Sequence, residues 1–151
     1  MSIVYRIDQE RGVAFVVWDG VVTAEEWLAH TRRLLADAAW PPDGRLHLTD
    51  LRTATVDASI DEPVLKQAAD LFGTHPQVAN LRVAVVAGDA FEKAGIFDHL
   101  ITKYQPFVFV FNTLNPACGW LGIDVADAQR TRVIADPGAR DRQIGKVTSH
   151  P

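Results

Sequence analysis

A histidine, two aspartates and a serine lie close enough in the sequence to do chemistry together. His47 and Asp50 fall on one predicted strand, and Asp57 and Ser59 follow it. A histidine beside a carboxylate can transfer protons, so an enzyme that acts on a small substrate through His47 and Asp50 is one hypothesis. Hydrolysis by a Ser-His-Asp site is disfavoured, because the sequence has no Gly-x-Ser-x-Gly elbow to present the nucleophile. We therefore assign no catalytic residue.

Metal and cofactor chemistry have little support in the sequence. The five histidines show neither His-x-His nor His-Glu-x-x-His spacing, and one cysteine cannot form a structural zinc cluster. Gly88-Asp89 lacks the glycine density of a phosphate-binding loop. We expect no metal site and no cofactor.

Polar side chains at predicted strand and helix ends could instead contact a ligand or a partner. Asp50 and Arg52 lie where the third strand is predicted to end, near the crevice in which open α/β sheets bind ligands. An ion pair or a turn cap is the favoured interpretation of these two residues. Ser59 and Asp89 are predicted to begin helices, and Asp57 lies in the same loop as Ser59.

Several aromatic residues could line an apolar pocket or a dimer face, although most are expected in the core. They are Trp18, Trp27, Trp40, Phe91, Phe97, Tyr104 and Trp120. Trp40 lies outside the helical periodicity and precedes Pro41-Pro42, so we expect it to be exposed and to mark a contact.

Strand and helix patterns alternate along the chain and position these residues. Residues 3–18 read as a hairpin, and Thr23 and Glu26 form a capping box before a helix. Apolar strands are predicted at 45–50, 81–87 and 107–111, each followed by a helical pattern, the last closed by Gly122. This alternation predicts an α/β domain with an open sheet.

Composition limits the partners. The chain has 151 residues, 48% hydrophobic and 23% charged, with a net charge of −4, which argues against nucleic acid. The longest apolar run, at 107–111, is far shorter than the roughly 20 residues of a membrane span. The single cysteine, Cys118, excludes an internal disulfide framework, and no signal-peptide pattern opens the sequence, so we expect a cytoplasmic protein.

The element order and three local motifs resemble the STAS superfamily, in particular small bacterial SpoIIAA-like (anti-sigma-factor antagonist-like) proteins. The motifs are Gly20-Val21-Val22-Thr23-Ala24-Glu25-Glu26, Leu48-Thr49-Asp50-Leu51-Arg52, and Val110-Phe111-Asn112 through to Ala117-Cys118-Gly119-Trp120-Leu121-Gly122. The resemblance implies a mixed five-stranded open sheet in the order ββαβαβαβα, covered by about four helices. It assigns residues 1–122 to a SpoIIAA-like domain and leaves 123–151 as an extension with a short helix near 125–130 and a loose tail.

In the regulatory branch of that superfamily, a serine in an Asp-Ser-Ser-Gly turn before the second helix is phosphorylated. Asp57-Ala58-Ser59 occupies the corresponding place, which makes Ser59 a possible phosphosite. Ala58 and Ile60 replace the first serine and the glycine of that turn, so we favour Ser59 as a helix N-cap.

Together these observations favour a non-enzymatic binding or regulatory domain. Its contact surface would be the loops at the carboxyl ends of the strands, and its target a partner protein or a small apolar ligand. The alternatives are the His47 and Asp50 enzyme and a homo-oligomeric structural module such as a homodimer.

Overall fold

The structure, a computed structural model, describes residues 2–40, 45–75, 81–104 and 106–135. Five strands are present: β1 (Ile3–Asp8), β2 (Val13–Val22), β3 (Leu46–Val56), β4 (Arg82–Val86) and β5 (Phe107–Phe111). The α-helices in the described residues are α1 (Ala24–Leu35), α2 (Glu62–Gly73), α3 (Phe91–Ile101), α4 (Leu114–Leu121) and α5 (Val125–Ala135). Two single 3₁₀ turns, Gly88–Ala90 and Thr102–Tyr104, flank α3. The predicted α/β class and mixed sheet are confirmed, and the fifth helix of the described residues, α5, lies in the predicted extension.

The strands lie side by side in sequence order, from β1 at one edge to β5 at the other. β1 and β2 pair antiparallel as the predicted hairpin, and the remaining pairs are parallel. Each helical crossover therefore moves in the same direction along the sheet. Because crossovers share one hand, the connecting helices α1, α2 and α3 must cover the same face.

The sheet separates two hydrophobic cores. One core packs α1, α2 and α3 against residues such as Val83 and Val85, and the other packs α4 and α5 against Ala84 and Val86. β3 serves both cores because successive side chains on a strand point to opposite faces. The predicted alternation is confirmed: His47 and Thr49 face the first core, and Leu48 faces the second.

β2 and β3 are longer than the sequence predicted. β2 continues through Gly20, at φ +77°, after a register shift between Val17 and Asp19. The second half of β3 pairs with β2 as far as Val22 and Val56, beyond the end of β4. Asp50 is therefore in the middle of β3, and the prediction that it ends the strand is wrong.

Only one of the two hydrogen bonds of the predicted capping box forms at the start of α1. The Thr23 hydroxyl accepts from the Glu26 amide at 3.3 Å. The Glu26 carboxylate does not reach back to Thr23 but accepts from the amides of Ser2 and Ile3, at 2.6 and 3.0 Å. The start of the chain lies close enough to compete for that carboxylate, so the predicted reciprocal box is half formed.

Two predicted caps are wrong. The N-cap of α2 is Asp61, whose carboxylate accepts from the Val64 amide at 3.1 Å, so Ser59 lies outside that helix. Asp89 is exposed in the 3₁₀ turn and caps nothing, because α3 begins two residues later and has no side-chain cap. The predicted closure of α4 by Gly122 is confirmed, since this glycine adopts the left-handed conformation at φ +72°.

α5 is longer than the short helix predicted near 125–130, and it packs on β1 and β2. Arg6 donates to the Asp127 carbonyl at 2.7 Å, and Arg11 pairs with the Asp127 carboxylate at 2.5 Å. These contacts attach the helix to the first hairpin. The predicted loose tail from residue 136 onward lies outside the described residues.

Candidate functional site

A cavity of about 70 Å³ lies between the sheet and helices α1, α2 and α3. Strands β2, β3 and β4 form its floor, and the three helices form its roof. Its lining residues are mainly apolar: Trp18, Trp27, His30, His47, Thr49, Leu51, Val56, Ile60, Leu65, Phe72, Val83, Val85, Ala90, Lys93, Ala94, Phe97 and Ile101. Apolar walls with a few polar atoms are typical of sites for small ligands.

A chain of ring contacts runs along the cavity wall. Trp18 packs edge to face on Trp27 at 5.6 Å between ring centroids, and Trp27 packs in the same way on Phe97 at 5.7 Å. Phe72 then joins Phe97 to His47, at 6.2 and 5.7 Å. Such edge-to-face pairs favour one ring arrangement, so they hold the wall in a defined shape.

Three buried polar atoms on residues that line the cavity have no hydrogen-bond partner in the described part of the chain. They are Nε1 of Trp18, Nδ1 of His30 and Nδ1 of His47, and they are the buried side-chain nitrogen and oxygen atoms left unpaired in the described residues. Each of these side chains is at most 6% exposed. Leaving a buried polar group unpaired costs about 1–3 kcal/mol, so a molecule that paired these atoms would recover part of that free energy.

Both cavity histidines are uncharged at neutral pH. Burial lowers the pKa of His47 to about 3 and that of His30 to about 4; the charge of Arg33 adds to the shift of His30, and the neighbouring His30 adds to that of His47. A neutral imidazole has one N–H and one lone pair, so each ring can donate and accept one hydrogen bond. Nε2 of His47 lies 3.1 Å from the Thr49 hydroxyl, which leaves its Nδ1 for a further partner.

The rim of the cavity lies where β3 meets the loop to α2. Val56, Lys93 and Phe97 are the lining residues that keep partial solvent exposure. The Lys93 ammonium donates to the carbonyls of Ile60 and Asp57, at 2.8 and 3.3 Å, and so links α3 to this loop.

Residues 57–60, which we call the rim loop, are also attached to α1. The Ser59 hydroxyl accepts from the Ala24 amide at 3.0 Å, so it pairs the first amide of α1, whose N-cap is Thr23, and does not cap α2. The hydrogen bonds from Ser59 lower the pKa of the Asp57 carboxyl, with a smaller contribution from the Lys93 charge. Two of the predicted site residues therefore border the cavity, although neither lines it.

Asp50 and Arg52 lie on a different surface. The Arg52 guanidinium binds both oxygens of the Asp50 carboxylate, at 3.0 and 2.8 Å, which confirms the predicted ion pair and raises the pKa of Arg52. Asp50 is 5% exposed and points to the α4 side, where its charge and that of Arg52 act on the Cys118 thiol. His47 points to the opposite face, so the predicted proton-transfer pair does not share a site.

The predicted aromatic set is divided by the structure. Trp18, Trp27 and Phe97 line the cavity, whereas Phe91 is 49% exposed on α3. Trp40 is 1% exposed, so the prediction that it is a surface contact is wrong. Its Nε1 donates to the Gly12 carbonyl at 3.1 Å and the Arg45 guanidinium lies over its ring, which satisfies its polar edge inside the protein.

Sequence reasoning missed His30 and Lys93 as site residues. A signal for His30 was present, because it lies three residues after Trp27 and so shares the buried face of α1. Lys93 gave no local signal, since its role depends on carbonyls of a distant loop.

The described residues contain no group of three or more His, Cys, Asp or Glu side chains arranged to hold a metal. Within the same residues no helix has both the length and the apolar character needed to cross a bilayer. No protein-family model matches the chain, and no curated protein matches it. The resemblance to the STAS superfamily therefore stays a prediction.

Proposed function

We propose that the protein is a non-enzymatic binding domain that holds a small, largely apolar molecule in the cavity under α1, α2 and α3. One observation carries this proposal: the unpaired buried polar atoms of Trp18, His30 and His47 all belong to residues that line this cavity. An interior that served only for packing would pair its polar atoms or replace them.

The small volume of the cavity means that water as well as a ligand could fill it. The cavity of about 70 Å³ has room for water and is smaller than an engineered cavity of about 150 Å³ that binds benzene. A ligand with a ring would extend through the rim between Val56, Lys93 and Phe97. The test must therefore distinguish a bound molecule from solvent.

The test combines native mass spectrometry of protein purified from its own host with a thermal-shift screen of small apolar compounds. A ligand that binds the folded state raises the unfolding temperature in proportion to its occupancy. Ala94→Leu, which fills the cavity from α3, should abolish the bound species and the shifts. Ala29→Leu adds the same side chain on the exposed face of α1 and should change neither. Absence of any binder, or binding unaffected by Ala94→Leu, would contradict the proposal.

We also propose that the chain is a STAS-like domain. The observed order of strands and helices supports this, because it is the order that the resemblance implies. A cytoplasmic location is a further proposal, supported by the sequence containing one cysteine, which is buried as a free thiol. Phosphorylation of Ser59 and binding of a partner protein stay predictions.

A second candidate function, homodimerisation, is favoured by the edge strand β5. In the described residues β5 pairs only with β4, and Phe107 and Phe109 are 56% and 53% exposed. Its sequence, Phe-Val-Phe-Val-Phe, is the same in both directions and has no lysine or proline to block pairing. Antiparallel pairing with a second copy about Phe109 would align phenylalanines on one face and valines on the other.

Sedimentation equilibrium tests this second candidate. Phe109→Lys should convert a dimer into a monomer, whereas Val21→Lys, at an equally exposed strand position, should leave the dimer intact. A wild-type protein that is monomeric at high concentration would exclude the homodimer.

A further inference from the structure

The polar atoms of the cavity indicate the chemical class of its ligand. Trp18 Nε1 carries a proton and can only donate, so its partner must be an acceptor. The free Nδ1 atoms of His30 and His47 can each donate or accept, depending on the tautomer. A hydroxyl matches this set because it accepts one hydrogen bond and donates another, and a carbonyl oxygen matches the Trp18 donor.

The charges of the cavity exclude ionic ligands. Among the described lining residues, Lys93 alone carries a charge, and its ammonium is bound to two carbonyls at the rim. An anion inside would meet, among these residues, only the Lys93 ammonium that already binds two carbonyls at the rim, and a cation would meet no carboxylate among them. Burial of an unpaired ion is strongly unfavourable.

Charges outside the cavity also disfavour the binding of an anion. Acidic residues outnumber basic ones on the loop that precedes α2 and on the segment that begins α3, which carry Asp57, Asp61, Glu62, Asp89 and Glu92 against Lys93, with Arg52 next to Gly88. An approaching anion would therefore be repelled before it reached the interior.

We propose that the ligand is an uncharged molecule with an apolar body, whose hydroxyl or carbonyl oxygen accepts the Trp18 Nε1 proton inside the cavity. This inference rests on the proposed function, because it names the class of molecule that the cavity would take. In the bound state the apolar body contacts the rings of Trp27 and Phe97, and the oxygen lies beside Trp18 Nε1.

The experiment compares probes of equal size that differ in one terminal group. Ethylbenzene, benzyl alcohol and benzylammonium end in a methyl, a hydroxyl and an ammonium group, and benzoate supplies an anion. Each is titrated into the ¹⁵N-labelled protein at neutral pH, and the indole N–H signal of Trp18 is followed together with backbone amides of the cavity wall. That indole signal is assigned by its loss in Trp18→Phe.

Benzyl alcohol should bind roughly tenfold more tightly than ethylbenzene, which is the effect of one hydrogen bond. It should also move the Trp18 indole signal, whereas ethylbenzene should move only neighbouring amides. Trp18→Phe should reduce this tenfold preference to about one, because the ring is kept and the donor is lost. Trp120→Phe, on the opposite face of the sheet, should keep the preference.

The outcomes separate this inference from the proposed function. If ethylbenzene binds as tightly as benzyl alcohol, or if benzoate or benzylammonium binds most tightly, the cavity binds ligands but the inferred class is wrong. If none of the probes moves a signal of the cavity wall, the proposed function and the inference both fail. The comparison of probes on the wild-type protein does not depend on the folding of any variant.

Discussion

The Nε2 atom of His47 lies 3.1 Å from the hydroxyl of Thr49, two residues further along β3, and both side chains line the cavity. This contact orients the imidazole, so its second nitrogen has a fixed direction in an interior without ions. A buried neutral histidine of this kind also links the stability of the fold to pH.

The first prediction concerns that link. The pKa of His47 is lowered to about 3 in the folded protein, so the unfolded chain takes up a proton near pH 6.5 that the folded protein refuses. Stability should therefore fall as the pH decreases from about 6.5 towards 3, by about 1.4 kcal/mol per pH unit from this residue. In urea unfolding at pH 7, 6 and 5, His47→Gln should show a shallower decrease than the wild type, by about half that slope between pH 7 and 6 and by nearly the full slope between pH 6 and 5. The exposed His99→Gln should keep the wild-type slope, and equal slopes for both variants would refute the prediction.

The second prediction concerns the ion pair on the other face. Arg52→Ala removes a guanidinium that is 35% exposed from a carboxylate that is 5% exposed and keeps a hydrogen bond from the backbone amide of residue 52, so it should lower the free energy of unfolding by about 1–2 kcal/mol. Arg32→Ala, at an exposed position in the last turn of α1, should change it by less than about 0.5 kcal/mol. Urea unfolding measures both, and a similar effect of the two variants would show that the pair contributes little.

The third prediction contrasts two helical glycines. A Cβ on Gly73 would lie 2.0 Å from the Tyr104 ring, so Gly73→Ala should destabilise the protein by about 1–3 kcal/mol. A Cβ on Gly95 meets nothing within 4 Å, and Gly95→Ala should stabilise α3 by up to about 1 kcal/mol. Thermal unfolding gives both signs. The double variant Gly73→Ala/Tyr104→Ala should lose less than the sum of its single changes, because the clash is gone.

The fourth prediction concerns the attachment of the rim loop. Lys93→Met keeps the apolar stem but removes the hydrogen bonds to the carbonyls of Asp57 and Ile60, and Ser59→Ala removes the acceptor for the Ala24 amide. Each change should speed amide hydrogen exchange at Ile60, whose N–H bonds the Asp57 carbonyl at 3.0 Å, by roughly tenfold per 1.4 kcal/mol lost. Exchange at Val85, in the centre of the sheet, should not change. Equal protection of Ile60 in all three proteins would show that these contacts do not hold the loop.

Hydrophobic periodicity was sufficient to predict the number of strands and the alternation with helices. It failed at the second half of β3, because that segment pairs only with β2 and leaves Arg52, Thr53 and Thr55 exposed. A run of polar residues of this kind is typical of a loop in a sequence. The strand was therefore predicted to end at Asp50.

The candidate site was harder to predict than the fold. Its residues come from strands and helices far apart in the sequence, and a cavity arises from the mismatch of their side-chain volumes, which no local pattern reveals. The burial of Trp40 also depends on a residue that is distant in the sequence. Its neighbouring prolines suggested a surface position, but the acceptor that allows its burial, the Gly12 carbonyl, belongs to the first hairpin.

β3 gives alternate side chains to two cores that do not mix, with His47 and Thr49 on one side and Leu48 and Asp50 on the other. Substitutions at odd-numbered positions in this stretch alter the cavity and the core around it, and those at even-numbered positions alter the second core. The shape of the cavity and the packing of the opposite core can therefore change independently through substitutions at neighbouring positions of one strand.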